Sequence, residues 1–315
     1  MKILFTMPIP KDLQERQQIQ FPDNTYYYIE DIRSYDTLSE INCIVSYGSD
    51  ITEEVLERAT NLCWLMIFSA GIEELPHIKL KERNIIVTNV RGIHAIPMAE
   101  FAFSYMLSYV KQLPHFAAKQ QEHQWGRADH QISELAGQTL VIVGTGAIGS
   151  QIARLAKAFQ MKVIGINTTG KQKALFDKTI QTKDITTILP EGDFVISILP
   201  ETNVTKGFYH KHHFQAMKKS AVFINIGRGS AITEEVLVDV AKQQTIAHMY
   251  LDVTPIEPLP ENHILWSFPS ITITPHVSAH SPRYLYRSFD IWLENLERFQ
   301  KQEPLLNTRQ LDRGY

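Results

Sequence analysis

The stretch Leu135–Asn167, LAGQTLVIVGTGAIGSQIARLAKAFQMKVIGIN, decides the fold. Its apolar run TLVIV (139–143) reads as a buried strand, GTGAIG (144–149) as a glycine turn, SQIARLAKAF (150–159) as a helix, and MKVIGIN (161–167) as a second strand. Gly144, Gly146 and Gly149 hold a spacing with a mechanical reason. One glycine makes the tight turn, the next lets backbone approach a pyrophosphate, and the third lets the helix pack closely on the strand, so that the helix N-terminus faces phosphate. The bare pattern occurs in many loops; the strand before it and the helix after it make it specific.

Downstream, DFVISIL (193–199), AVFINI (221–226), AHMYLDV (247–253) and SITITP (270–275) supply further strands, which predicts a doubly wound nucleotide-binding sheet. Upstream, KILFT (2–6), INCIVSY (41–47), LCWLMIF (62–68) and NIIVTN (84–89) alternate with helix-compatible stretches such as SDITEEVLERAT (49–60), which reads as a second parallel α/β unit. The segment between them, Pro97–Trp125, is apolar and helical, with Pro114 expected to kink or divide it. The run YLYRSFDIWLENLERFQKQ (284–302) is an amphipathic helix. It is assigned back to the first unit, because the nucleotide-binding unit is complete by His276. The expected domains are therefore 1–93 with 282–315, and 94–281.

A length of 315 residues calls for two cores. The 31 basic and 34 acidic side chains, net −3, provide no field for nucleic acid or an anionic membrane, which leaves a small molecule as the expected partner. Cys43 and Cys63 have no zinc spacing and are expected to be reduced and partly buried; no metal site is predicted. The start MKILFTMPIP is broken by Pro8 and Pro10, no stretch reaches the length of a membrane span, and the cytoplasm is the expected compartment.

At the end of MKVIGIN stands Asn167, where a carboxylate would accept the ribose hydroxyls of NAD. Thr168, Thr169, Gly170, Lys171 and Lys173 follow, donors compatible with a 2′-phosphate. The reading favours NADP, or use of both cofactors, over NAD alone, although an ordinary solvated loop would carry the same lysines.

Three segments lie just beyond strands, at the edge where open parallel sheets bind ligands: FINIGRGSAITEE with Arg228, LDVTPIEPLPENHILW with Glu257, and ITITPHVSAH with His276. With SAGIEEL, TNVRGIHAIPMAEF, ELAGQTLVIVGTGAIG and ILPETNVTKGFY, in this order and spacing, the chain resembles the D-2-hydroxyacid dehydrogenase family over nearly its whole length. That family includes phosphoglycerate dehydrogenase and the glyoxylate and hydroxypyruvate reductases. The resemblance implies two doubly wound parallel-sheet domains, a Rossmann cofactor domain inserted into a flavodoxin-like substrate domain. It implies hydride transfer between NAD(P)H and a small 2-oxo or 2-hydroxy acid, with His276 as acid/base, Glu257 orienting it and raising its proton affinity, and Arg228 binding the substrate carboxylate and carbonyl.

By the same resemblance, backbone at Ala70 and Gly71 binds the substrate carboxylate and Ala147 and Ile148 offer turn amides to the pyrophosphate. Leu199, Pro200 and Thr205 line the adenosine and phosphate side, and Asp252 accepts from the nicotinamide carboxamide. A homodimer through Met98–Trp125 is implied as well. His280 is the nearest rival to His276 but falls outside the TPH match. Tyr47, Ile72, Trp266 and Tyr284 are candidates for shaping the substrate pocket.

The departures from the family pattern are Asn167, Glu201 after the Leu-Pro step, and Ile226-Gly227 where Thr-Ala is frequent. Ending at Tyr315, the chain is expected to lack a serine-binding regulatory domain. Two other readings stay open: a dinucleotide-sensing, corepressor-like binding protein, against which the intact Arg, Glu and His argue, and a phosphonate-oxidising relative. A formate-oxidising relative is disfavoured by Glu257.

Overall fold

In a computed structural model that describes residues 1–69, 71–72, 74–125 and 132–309, the chain divides into two units, Met1–Ile93 with Ser281–Tyr315, and His94–His280. The first unit holds strands β1 (Lys2–Phe5), β2 (Thr25–Tyr28), β3 (Cys43–Ser46), β4 (Trp64–Ile67) and β5 (Ile86–Asn89) and helices α1 (Lys11–Gln20), α2 (Glu53–Arg58) and α3 (His77–Glu82). The strands are parallel in the order β2-β1-β3-β4-β5, the flavodoxin-like winding. β3 and β4 are buried at every residue, which is why they read as continuous apolar runs without alternation.

The carboxyl-terminal helix, Tyr284–Gln300, belongs to this unit for a physical reason: its buried stripe of Phe289, Trp292, Leu293 and Leu296 completes the core. Trp292 stacks on Trp64 at 5.0 Å between ring centroids, an aromatic contact that contributes about 1 kcal/mol beyond burial. Both indole N–H groups are satisfied, Trp292 by Gln17 and Trp64 by Thr88. Cys43 is buried as expected; Cys63, one residue before β4, is instead exposed, and both are free thiols.

In the second unit, α4 (Ala95–Val110) and α5 (Leu113–Gln121) precede β6 (Thr139–Val143), α6 (Ala147–Ala158), β7 (Lys162–Asn167), β8 (Lys178–Gln181), β9 (Phe194–Ser197), α7 (Lys211–Gln215), β10 (Val222–Asn225), α8 (Glu234–Gln243), β11 (His248–Leu251) and β12 (Ile271–Ile273). All seven strands are parallel, in the order β12-β11-β10-β9-β6-β7-β8. The winding reverses between β6 and β9, the point at which such sheets bind nucleotides. Alternate residues of β6 feed two cores: Leu140 and Ile142 join the one under α4 and α6, Val141 and Val143 the one on the other face. Pro114 divides the long apolar segment, since α4 stops at Val110 and α5 restarts with that proline in its first turn after a left-handed Gln112.

β2 and β8 are additions to the strands expected from sequence. Both are edge strands of polar or tyrosine-rich composition with no alternating pattern.

Candidate active site

The glycine turn sits at the reversal point. A Cβ on Gly149 would lie 2.0 Å from the carbonyl oxygen of Gly144, so only glycine lets α6 start this close to β6. At Gly146, which caps α6 without a side-chain hydrogen bond, a Cβ would meet nothing within 4 Å. The space at Gly146, before the helix N-terminus, is open, which suits a pyrophosphate. Gly146 and Ala147 are exposed there, and Ile148 is half-buried.

At the end of β7 the Asn167 side chain organises its own loop. Its Oδ1 accepts from the N–H of Thr169 (3.1 Å) and Gly170 (2.7 Å), and its Nδ2 donates to Thr145 Oγ1 and to the carbonyl of Lys171, both at 3.1 Å. Thr168, Thr169, Lys171 and Lys173 lie exposed on that loop. Beyond β9, Leu199 and Pro200 enter a turn closed by Thr205, whose hydroxyl donates to the Pro200 carbonyl (2.5 Å) and accepts from the Thr202 N–H (2.9 Å). Glu201, one of the departures from the family pattern, accepts from Ser230 Oγ at 2.9 Å and so ties this turn to the segment after Arg228.

Arg228 follows β10 in an exposed position. Its turn is shaped by Asn225, 1% exposed, which accepts from the Gly227 N–H (3.2 Å) and donates to the Arg228 carbonyl (3.1 Å). A Cβ at Gly229 would come within 1.8 Å of the Thr254 carbonyl oxygen, which accounts for the glycine after the arginine.

Thr254 also opens the segment carrying Glu257: its N–H donates to Glu257 Oε1 (2.9 Å), leaving Oε2 for His276 Nδ1 at 2.7 Å. The histidine side chain is 47% exposed and the glutamate 35%, so the pair is fixed by hydrogen bonds while the imidazole stays open to a ligand. His276 itself adopts a left-handed backbone, φ +53°, and its N–H is bound to the Asp252 carbonyl at 2.8 Å. Strained backbone of this kind persists where surrounding bonds over-determine it.

Asp252 is buried, 1% exposed, and its carboxylate accepts from Thr274 Oγ1 (2.6 Å) and from the N–H groups of Val277 and Ser278 (both 2.9 Å). His280 is exposed beyond this loop, its N–H on the Val277 carbonyl. Arg228, Glu257, His276 and the glycine turn all belong to the second unit. Gly71 belongs to the first, half-buried, its carbonyl bound by Ser69 Oγ at 2.8 Å; Ala70 lies outside the described residues.

Two residues were not marked by the sequence reading. Asn225 shapes the arginine turn, and the only signal for it is its place at a strand end. His94, at the N-terminus of α4, is half-buried; burial first and the charge of Arg228 second hold its imidazole below the ordinary range, so it is neutral near pH 7. Among the described residues no cluster of His, Cys, Asp or Glu is arranged to hold a metal ion, and no helix is long and apolar enough to cross a membrane.

The sheet order together with an open glycine turn at its reversal point defines a dinucleotide-binding protein. The chain belongs to a particular family of them: residues 103–278 match the family model "D-isomer specific 2-hydroxyacid dehydrogenase, NAD binding domain", which makes it an NAD(P)-dependent oxidoreductase. It is 27% identical over 273 residues to a glyoxylate reductase of Korarchaeum cryptofilum, covering 85% of this chain and 82% of that one. With a D-3-phosphoglycerate dehydrogenase of Methanocaldococcus jannaschii it shares 28% identity over 285 residues, 88% of this chain but 53% of the longer relative. Among solved structures, a D-isomer specific 2-hydroxyacid dehydrogenase family protein from Aeromonas salmonicida superposes with a TM-score of 0.83 at 29% identity, covering 99% of both chains.

Proposed function

We propose that the protein reduces a small 2-oxo acid, such as glyoxylate or hydroxypyruvate, to the D-2-hydroxy acid with NADPH or NADH. The observation that carries this reading is the 2.7 Å pair of His276 and Glu257 at the same sheet edge as Arg228. A nicotinamide dinucleotide, when bound, would supply the hydride for the carbonyl carbon. Glu257 holds Nδ1 of His276, which directs Nε2 outward as the atom that protonates the developing alkoxide; in oxidation the same atom takes the proton back. Arg228 grips the substrate carboxylate and carbonyl oxygen with a planar fork, neutralising one charge and stabilising the other as it forms.

Gly144, Gly146, Ala147, Ile148 and Gly149 would cradle the cofactor's pyrophosphate, and Leu199, Pro200 and Thr205 would line its adenosine and phosphate side. Asn167 brings no negative charge to the ribose, and with Thr168, Thr169 and Lys171 it favours NADP over NAD. The carboxamide would take Asp252 Oδ2, which accepts one internal bond and keeps a second lone pair. We further propose a cytoplasmic homodimer through Met98–Trp125; Phe103, Tyr105 and Met106 of that segment are buried in their own unit, contrary to the expectation that one helix face could not bury them, which leaves exposed side chains such as Leu113 and Trp125 for the partner to cover. Sedimentation should give two chains per particle, and one chain per particle would remove the dimer.

Steady-state rates for NADH and NADPH across several 2-oxo acids test the main reading. Turnover of at least one acid, with the lower KM for NADPH, is expected; tight dinucleotide binding with no turnover of any acid would favour a sensor instead.

A further inference from the structure

A line of hydrogen bonds in the second unit runs from α4 to the loop that carries His276. Tyr105, on α4 and 6% exposed, places its hydroxyl 2.5 Å from Thr274 Oγ1, which is 2.6 Å from Asp252 Oδ1. The hydrogens along it can be ordered. A carboxylate can only accept, so Thr274 spends its single hydrogen on Asp252, and Tyr105 must therefore donate to Thr274. Burial pushes the Tyr105 phenol well above its ordinary range, opposed by the Thr274 bond and aided by the charge of Asp252, so it stays a donor.

Asp252 collects the loop. Its carbonyl takes the N–H of His276 (2.8 Å), Oδ1 that of Val277 and Oδ2 that of Ser278 (both 2.9 Å). Three consecutive backbone donors thus end on one residue at the end of β11. The turn they define includes the left-handed φ of His276. Without the hydroxyl of Thr274, Oδ1 would lose one of its two partners, and the carboxylate could rotate away from the loop amides. Tyr105 is itself braced, stacked on Tyr250 of β11 at 4.4 Å and 26°.

We propose that Tyr105 and Thr274 are positioning residues for His276: they lock the Asp252 carboxylate in the orientation that gathers the loop and aims the imidazole. The inference rests on the reading of His276 as the acid/base. Neither residue has to touch substrate or cofactor for it to hold, so its signature is a loss of turnover larger than any loss of binding; since Asp252 is also proposed to take the carboxamide, a modest rise in cofactor Kd is compatible with it.

The test compares T274V, T274S, Y105F and H276A, each with a melting curve, NADPH binding by fluorescence, and kcat and KM for the best 2-oxo acid. Misplacing a catalytic group by a fraction of an ångström costs on the order of tenfold to a hundredfold, so T274V should lose that much kcat while the KM for the 2-oxo acid stays within about twofold and the NADPH Kd rises by clearly less than kcat falls. T274S, which keeps the hydroxyl, should recover turnover to within about threefold of wild type, and Y105F should lie between it and T274V. Full kcat in both T274V and Y105F, beside an inactive H276A, would overturn the positioning role alone. Wild-type turnover in H276A would overturn the acid/base reading beneath it. If T274V does not fold, Y105F decides, since it keeps the ring stacked on Tyr250; unchanged kcat in Y105F, or KM rising as much as kcat falls, counts against the proposal.

Discussion

Two loops leave the same edge of the seven-stranded sheet and are held in opposite ways. The loop after β12 carries His276, and its N–H groups at 276, 277 and 278 end on Asp252, a buried residue of the neighbouring strand more than twenty positions earlier. The loop after β7 is held by its own first residue: the N–H groups of Thr169 and Gly170 end on the Asn167 side chain, two and three positions back. The first loop is fixed mainly by non-local bonds to a buried strand end, the second mainly by local bonds at the surface, with Asn167 Nδ2 on Thr145 of the glycine turn and Gln181 on the Thr168 carbonyl as its longer-range ties. Geometry needed to tenths of an ångström is built on the first kind of support, while the second can be rewritten without disturbing the sheet. On the proposed function, catalysis and cofactor choice should therefore be separable.

Changes on the fixed side should cost turnover, and changes in the local loop should redistribute cofactor preference. The largest effect in this series is expected from R228K, which keeps the charge but loses the planar fork; kcat/KM for the 2-oxo acid should fall about a hundredfold, with cofactor binding unchanged by fluorescence titration. E257Q comes next. Glutamine can still accept from Nδ1–H but weakens the charge-assisted hydrogen bond that orients the ring, so kcat should fall about tenfold at neutral pH in steady-state assays, with KM little changed. The smallest effect belongs to the local loop: N167D should raise the KM for NADPH several-fold and lower that for NADH, with kcat at saturating cofactor within about twofold of wild type. If N167D instead lowered kcat with both cofactors, the two loops would not be independent.

The glycine turn and the strand run beyond it were legible because each depends on local pattern, an apolar run and a glycine spacing; that Arg228, Glu257 and His276 follow strands was legible the same way, while their roles came from the family resemblance. β2 and β8 were not legible, since TYYY and KTIQ lie at sheet edges, where neither face is fully covered, and so show neither a continuous apolar run nor an in-out alternation. Asn167 was legible as a missing charge, but not as the residue that folds its own loop, because sequence carries no side-chain direction. Asp252 was read as a cofactor ligand through family likeness; its three internal bonds join positions 22 to 26 apart and have no sequence signature. Asn225 and His94 were missed for the same reason, and Cys63 because a strand's entrance shifts by one residue the boundary between buried and exposed.

The most direct test of the account is a single-turnover measurement on His276→Ala loaded with NADPH and mixed with the best 2-oxo acid substrate of the wild type. Loss of the proton donor should slow cofactor oxidation by about a hundredfold to ten-thousandfold while NADPH still binds with wild-type affinity. Oxidation at the wild-type rate would contradict the assignment of His276 and, with it, the mechanism proposed for this site.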